Sequence, residues 1–181
     1  MVLVLVCLFS YIPFTQAQKT SKEEVFKYKY FKSLAYLEDP NQSLGIQKVS
    51  SRAYASKFIP AHSDYLNFGF TRSVYWVRIE FPSDEELNGH VLELEYPLLD
   101  NIQVYQESTH GYWDVRKGGD RQPFASRQLS FNKITFMLEH DSNSTGVYYL
   151  RFVTEGSMNI QMQLWTLSEF IKHALNQQII F

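Results

Sequence analysis

The chain predicts an all-β fold, a jelly-roll β-sandwich of two sheets with one short helix near its end. Aromatic residues make up 16% of its 181 residues, with 14 Phe, 12 Tyr and 3 Trp, and such side chains favour the half-buried pleated surface of strands. Short runs alternate apolar and polar positions, the period of a strand with one buried face. Turn-forming clusters separate these runs with no helical segments between them, which points away from a parallel sheet with crossover helices.

Met1 to Ala17 reads MVLVLVCLFSYIPFTQA and holds no charged side chain. It is shorter than the roughly 20 residues of a membrane-spanning helix and is broken by Pro13, so it reads as a secretory signal. Thr15 and Ala17 are the small residues before the cleavage point, and Gln18 is the expected mature start. A buried apolar strand or helix is the alternative. The single cysteine, Cys7, falls inside this segment, so a mature domain would carry no disulfide, thiol nucleophile or Cys metal site. Residues 18–35 form a lead-in, 36–167 the sandwich domain, and 168–181 a helix leading toward a membrane span.

The strands follow in order. Ser33 to Asp39 forms a first strand, Pro40 and Asn41 a turn, and Leu44 to Val49 a second short strand. Val74 to Phe81 places Tyr75, Val77, Ile79 and Phe81 on one face and Trp76, Arg78 and Glu80 on the other. Val91 to Tyr96 sets Leu92, Leu94 and Tyr96 against Glu93 and Glu95. Asn101 to Tyr105 pairs Ile102 with Val104, and Lys133 to Leu138 groups Ile134, Phe136 and Leu138. Val147 to Val153 opposes Tyr148, Leu150 and Phe152 to Tyr149 and Arg151; Asn159 to Trp165 opposes Ile160, Met162 and Leu164 to Gln161 and Gln163. Turns are expected at Pro82, Asn88, Lys117 to Asp120, Asp141 and Glu155. At the end, Ser168 is read as the N-cap of a helix with Phe170, Ile171, Ala174 and Leu175 as its apolar stripe and with Lys172 and His173 left polar. Because the chain stops at Ile179-Ile180-Phe181, inside an apolar run, a continuation into a membrane is expected; a last turn tucked onto the sandwich is the alternative.

The residues speak against several kinds of chemistry. A net charge of -2, with no local Lys/Arg cluster, offers no field for phosphate backbones, so nucleic acid is not an expected partner. His62, His90, His110, His140 and His173 are scattered, without the spacing of zinc ligands. No nucleophile elbow, P-loop or dinucleotide fingerprint occurs, and Gly118-Gly119-Asp120 reads as a turn. Glu93 and Glu95 are the one carboxylate pair of interest, about 6.5 to 7 Å apart at Cα along a strand, a separation open to glycosidase chemistry. Yet Glu alternating with Leu is the ordinary pattern of a solvated strand face. The domain is therefore read as no enzyme, with no cofactor and no metal.

The polar strand faces carry the binding candidates: Trp76 with Arg78, Glu93 with Glu95, and Tyr149 with Arg151. If these strands are neighbours in one sheet, they make a shallow surface of aromatic planes, guanidinium groups and carboxylates that can stack on a sugar ring and bind hydroxyls or a carboxylate. The competing reading is cross-strand Arg/Glu pairing that finishes a sheet face, at about 0.2 to 1 kcal/mol per pair. Trp76 taken alone fits the core better.

The runs GFTRSVYWVRIEF (Gly69 to Phe81), LELEYPLLDNIQVY (Leu92 to Tyr105), GGDRQPFASRQ (Gly118 to Gln128) and YYLRFVTEGS (Tyr148 to Ser157), in this order and spacing, resemble the type 2 extracellular sensor domain of seven-transmembrane receptors with diverse intracellular signalling modules. The resemblance covers about Tyr36 to Phe170. It implies a bacterial jelly roll similar to carbohydrate-binding modules, on the periplasmic face of the inner membrane, followed by a transmembrane bundle and an output module such as a histidine kinase or diguanylate cyclase. The family's recurrent positions fall on Trp76, Arg78, Tyr96, Asp100, Asp120, Arg127 and Arg151; Pro97 and Asp100 look structural, and Asp120 with Arg127 is a candidate loop ion pair. The expected function is thus an extracytoplasmic sensor for a small molecule or glycan, anchored by the attached membrane bundle. A protein-interaction domain, or a homodimer formed through the sandwich face, is the alternative.

Overall fold

The computed structural model of the chain describes residues 31–81, 89–108, 110–138 and 146–178. The segment expected to be a signal, the turns expected from Pro82 and Asp141, and the apolar end at Ile179 lie outside the described residues. Elements run in the order β1 (Ser33–Asp39), α1 (Ile46–Val49), α2 (Arg52–Ala55), β2 (Ile59–Pro60), β3 (Tyr65–Phe70), β4 (Val74–Glu80), β5 (His90–Leu94), β6 (Asn101–Glu107), β7 (Trp113–Gly118), β8 (Ile134–Leu138), β9 (Val147–Val153), β10 (Ser157–Thr166) and α3 (Leu167–Gln178). No helix of the described residues is long and apolar enough to cross a membrane.

Two antiparallel sheets form, one ordered β2-β1-β4-β9-β6-β7 and the other β3-β10-β5-β8. With β1 and β2 set aside as an extension at the β4 edge, β3 to β10 divide into β4-β9-β6-β7 and β3-β10-β5-β8, the strand order of a jelly roll. The all-β sandwich expected from alternation is the fold observed. Its interior is one apolar layer: Val77, Ile79, Ile102, Val104, Leu150 and Phe152 from one sheet meet Leu92, Leu94, Phe136, Leu138, Ile160 and Leu164 from the other. These are the apolar-face residues of the alternating runs, because a side-chain period of two sends every second residue inward.

Both outer faces are partly covered as well. On the six-stranded sheet, Ile46, Val49 and Phe58 pack on Val74, Trp76 and Tyr149. The strand expected over Leu44 to Val49 is thus corrected to α1. Its buried residues, Ile46 and Val49, stand three apart, a helical spacing, and Gly45 precedes them as N-cap. β3 and β7, which the alternation reading passed over, are edge-type strands: their exposed Tyr65, Phe70 and Val115 blur the apolar-polar period.

On the four-stranded sheet, α3 and the segment before β8 form the cover, with Val91, Phe131 and Phe170 buried against Trp165 and Ala174. The helix begins one residue earlier than expected, and its cap is Thr166, not Ser168. The Glu169 N–H donates to Thr166 Oγ1 at 3.2 Å while the Thr166 N–H donates to Glu169 Oε2 at 3.0 Å, a reciprocal capping box. The expected apolar stripe also divides. Phe170 is buried and Ala174 half-buried, whereas Ile171 and Leu175 are exposed; the inward turn places His173 against the sheet.

There Glu93 is fully buried yet fully partnered. Its carboxylate accepts from Lys133 Nζ at 2.6 Å and Trp165 Nε1 at 2.7 Å, and His173 Nε2 lies 3.6 Å away. His173 stacks on Trp165 with centroids 4.5 Å apart. One carboxylate therefore ties β5, β8's approach, β10 and α3 together.

Two stability predictions follow from these contacts. Thr166→Ala should lower unfolding free energy by about 1 kcal/mol in urea titration, and Ser168→Ala by less than about 0.5 kcal/mol; equal effects would refute Thr166 as the cap. Lys133→Met should cost more than Glu93→Leu, about 3 to 5 kcal/mol, since it strands the carboxylate, whereas Lys133 keeps 22% side-chain exposure. The double variant Glu93→Leu/Lys133→Met should recover much of that loss, and a double variant as unstable as Lys133→Met would contradict the pairing.

Candidate ligand-binding site

Alternation turns Trp76, Arg78, Tyr149 and Arg151 to the outer face of the six-stranded sheet, and register brings them together. Trp76 stands opposite Arg151, and Arg78 opposite Tyr149. One row across the sheet reads Leu37, Trp76, Arg151, Gln103, Lys117; the next reads Ala35, Arg78, Tyr149, Tyr105, Val115. Glu93 and Glu95 do not join them. β5 lies in the other sheet, so the single surface of all six residues, which required neighbouring strands, is not formed. Glu93 sits in the α3 cluster; Glu95, just past the end of β5, is half-exposed, and its backbone N–H donates to Gln161 O at 3.0 Å.

The four residues on the shared face have different surroundings. Trp76 has no exposed surface; it lies beneath α1 and beside Tyr105, with ring centroids 5.5 Å apart. Tyr149 is buried between Phe58 and Trp113, at 6.1 and 5.9 Å. Arg78 reaches Glu80 at 3.2 Å. A hydrogen bond from Lys32, with Arg78 close by, holds the Glu80 carboxyl below its ordinary range despite partial burial. Arg151 differs: among the described residues no carboxylate comes within 4 Å of its guanidinium, which lies 6.0 Å from the Trp76 ring. Burial raises the Tyr105 phenol, and the nearby Arg151 charge offsets part of that rise.

Arg151 opens onto a depression of about 280 Å³ that it lines with Asn101, Gln103, Lys117 and Gln122. Two cations and three primary amides converge there, an arrangement suited to oxygen-rich ligands that accept from Arg and Lys and exchange hydrogen bonds with amides. Gln103 is itself oriented by the Tyr105 hydroxyl, which donates to its Oε1 at 2.9 Å. Lys117, Asn101, Gln103 and Gln122 escaped the sequence reading. The available signal was the polar half of the β6 alternation, Asn101 and Gln103 flanking Ile102; nothing local marks Lys117 or Gln122. No group of three or more His, Cys, Asp or Glu arranged to hold a metal ion occurs among the described residues.

The loop after β7 frames the site. A Cβ on Gly118 would lie 2.7 Å from Phe136 Cζ, and Gly119, at φ +121°, would bring a Cβ to 2.2 Å from Asp100 O, so both positions require glycine. Asp120 N and Arg121 N then bond Leu99 O and Asp100 O at 2.8 and 3.1 Å. Asp100 acts structurally, as expected, accepting from Glu155 N at 2.7 Å and pairing with Arg121 at 3.5 Å. The ion pair expected between Asp120 and Arg127 is absent. Arg127 Nη1 instead donates to the carbonyls of Phe131 and Asn132, at 2.7 and 3.3 Å, and its guanidinium lies over the Phe124 ring, because the loop turns back on itself before β8 and leaves those carbonyls without strand partners.

Comparison with curated proteins finds no match. The family model described as 7TMR-DISM extracellular 2 matches residues 32–166, a span that takes in all of β1 through the last residue of β10. With a jelly roll of two sheets and that match over most of its length, the chain belongs to the 7TMR-DISM extracellular 2 family, the extracellular sensor domains of seven-transmembrane receptors.

Proposed function

We propose that the domain binds a small hydroxylated ligand, a carbohydrate in the first instance, on the outer face of the six-stranded sheet, and relays occupancy to the attached membrane portion through α3. The Arg151 guanidinium, without a carboxylate partner among the described residues and facing a depression lined with amides, is the observation that carries this reading. A charged group without a counter-charge keeps its hydrogen-bonding capacity for an incoming oxygen, whereas Arg78 is already engaged by Glu80. Sheet rigidity supports the role, since Arg151 is held on β9 between β4 and β6. A periplasmic location and removal of the first 17 residues as a signal belong to the same proposal.

Relay through α3 rests on its attachment to the four-stranded sheet by Phe170 and His173. A ligand moves such a receptor only through its difference in affinity for two states, so the helix must sit differently in each. A second reading, association with another copy or a partner, is favoured by Leu167, Ile171 and Leu175, exposed at four-residue intervals on α3, a spacing that aligns them on one helix face.

A glycan array should find ligands whose binding falls about tenfold or more in Arg151→Ala, the loss of a charge-assisted contact, with Arg78→Ala much closer to the parent. Arrays that bind nothing, or binding indifferent to Arg151, would sink the site. In the full-length receptor, Phe170→Ser should uncouple output while ligand affinity survives; unchanged signalling would remove α3 from the relay. Dispersal of a concentration-dependent dimer by Ile171→Glu with Leu175→Glu would instead favour the second reading.

A further inference from the structure

We infer that the ligand is a linear oligosaccharide carrying carboxylates along its length, laid across three linked depressions and not confined to the one at Arg151. This rests on the glycan reading above and specifies its charge and reach.

The Arg151 depression, at about 280 Å³, falls just below the roughly 300 to 1,000 Å³ of ligand clefts. It does not stand alone. At one end Val153 is shared with a depression of about 470 Å³ lined by Gln42, Arg72, Thr154 and Glu155. At the other end Lys117 and Gln122 are shared with a cavity of about 170 Å³ that runs past Gly118 and Gly119 to Ser126 and Arg127. Through these shared residues the three depressions adjoin one another across the face of the six-stranded sheet and its β7 edge.

Charge along this path is positive and recurrent. Arg72, Arg151 and Lys117 have no carboxylate within 4 Å among the described residues, and Arg72 and Lys117 are exposed. Arg151 and Lys117 stand in one register row with Gln103 between them, which places their Cα atoms about 9 to 10 Å apart. The acid on the path, Glu155, is engaged by Arg121 at 2.7 Å, as is Asp100 at 3.5 Å. Beside and between the cations lie neutral amides: Gln42, Asn101, Gln103 and Gln122. Cations at intervals, separated by groups that bond hydroxyls, complement a chain of sugar rings with an acid on successive units. A single neutral sugar in the Arg151 depression would leave Arg72 unused and the Arg151 and Lys117 charges uncompensated. An acidic peptide would match the charges too, so polyglutamate binding is what distinguishes it from a sugar chain.

Titration calorimetry on the full chain tests this with oligogalacturonides as probes: the dimer, the hexamer and the fully methyl-esterified hexamer, with polyglutamate as a comparison. The hexamer should bind about tenfold or more tighter than the dimer and weaken as salt rises. Esterification should lose about tenfold or more, the charge-assisted contacts being gone. Arg72→Ala should weaken the hexamer and leave the dimer unchanged; Lys117→Ala should weaken both. Equal affinity for the esterified and acidic hexamers, with Arg151 dependence intact, would overturn the acidic assignment while leaving the glycan site standing. Equal affinity for dimer and hexamer would overturn the extended path. Polyglutamate binding as tightly as the hexamer would replace the sugar with an acidic peptide. If no neutral or acidic glycan binds in an Arg151-dependent way, the glycan site itself falls.

Discussion

Strand alternation constrains every other feature of this molecule. Once Leu150 and Phe152 of β9 turn inward to meet the four-stranded sheet, Tyr149 and Arg151 must turn out. The same holds for Trp76 and Arg78 on β4, and for Gln103 and Tyr105 on β6. A sandwich with both inner faces apolar leaves two outer faces, and this chain covers each only in part. α1 and Phe58 cover the Trp76 and Tyr149 side of the six-stranded sheet. The row that continues through Arg151, Gln103 and Lys117 carries polar ends that none of the described residues covers, and it is there that the depression opens.

Burial also separates residues that look equivalent. Trp76 and Arg151 are cross-strand neighbours, yet one is a core residue and the other a surface guanidinium. The Trp76 ring lies 6.0 Å from the Arg151 guanidinium, and the Tyr105 hydroxyl orients Gln103 on the neighbouring strand. Preorganised polar groups of this kind raise affinity by reducing what must be ordered on binding. The paired glycines at 118 and 119 contribute in the same sense, by letting the loop after β7 close against Asp100 and Phe136.

The opposite face works by another principle. Glu93 is buried with Lys133, Trp165 and His173 around it, and a buried ion pair adds little net stability over an apolar substitute. Its effect is on geometry: the carboxylate has two directional partners, Lys133 and Trp165, and the Trp165 ring it orients stacks on His173 of α3. The helix that continues from β10 is therefore attached to the sheet by the His173 stack on Trp165 as well as by Phe170.

Most strands were legible from period-two alternation, because β4, β5, β6, β8, β9 and β10 each bury one face and their apolar residues recur accordingly. β3 and β7 were not, since edge positions leave apolar residues exposed, and α1 was taken for a strand because a four-residue helix is too short to display its period. Of the site, the sequence determined the membership of Arg151 in a polar strand face and the family to which the chain belongs. Only the tertiary structure decided that Glu93 and Glu95 lie on the other side, that Trp76 is buried, and that Lys117 and Gln122 join Arg151. Strand order and loop closure bring residues distant along the chain within reach of one ligand, and local alternation carries no information about which strands become neighbours.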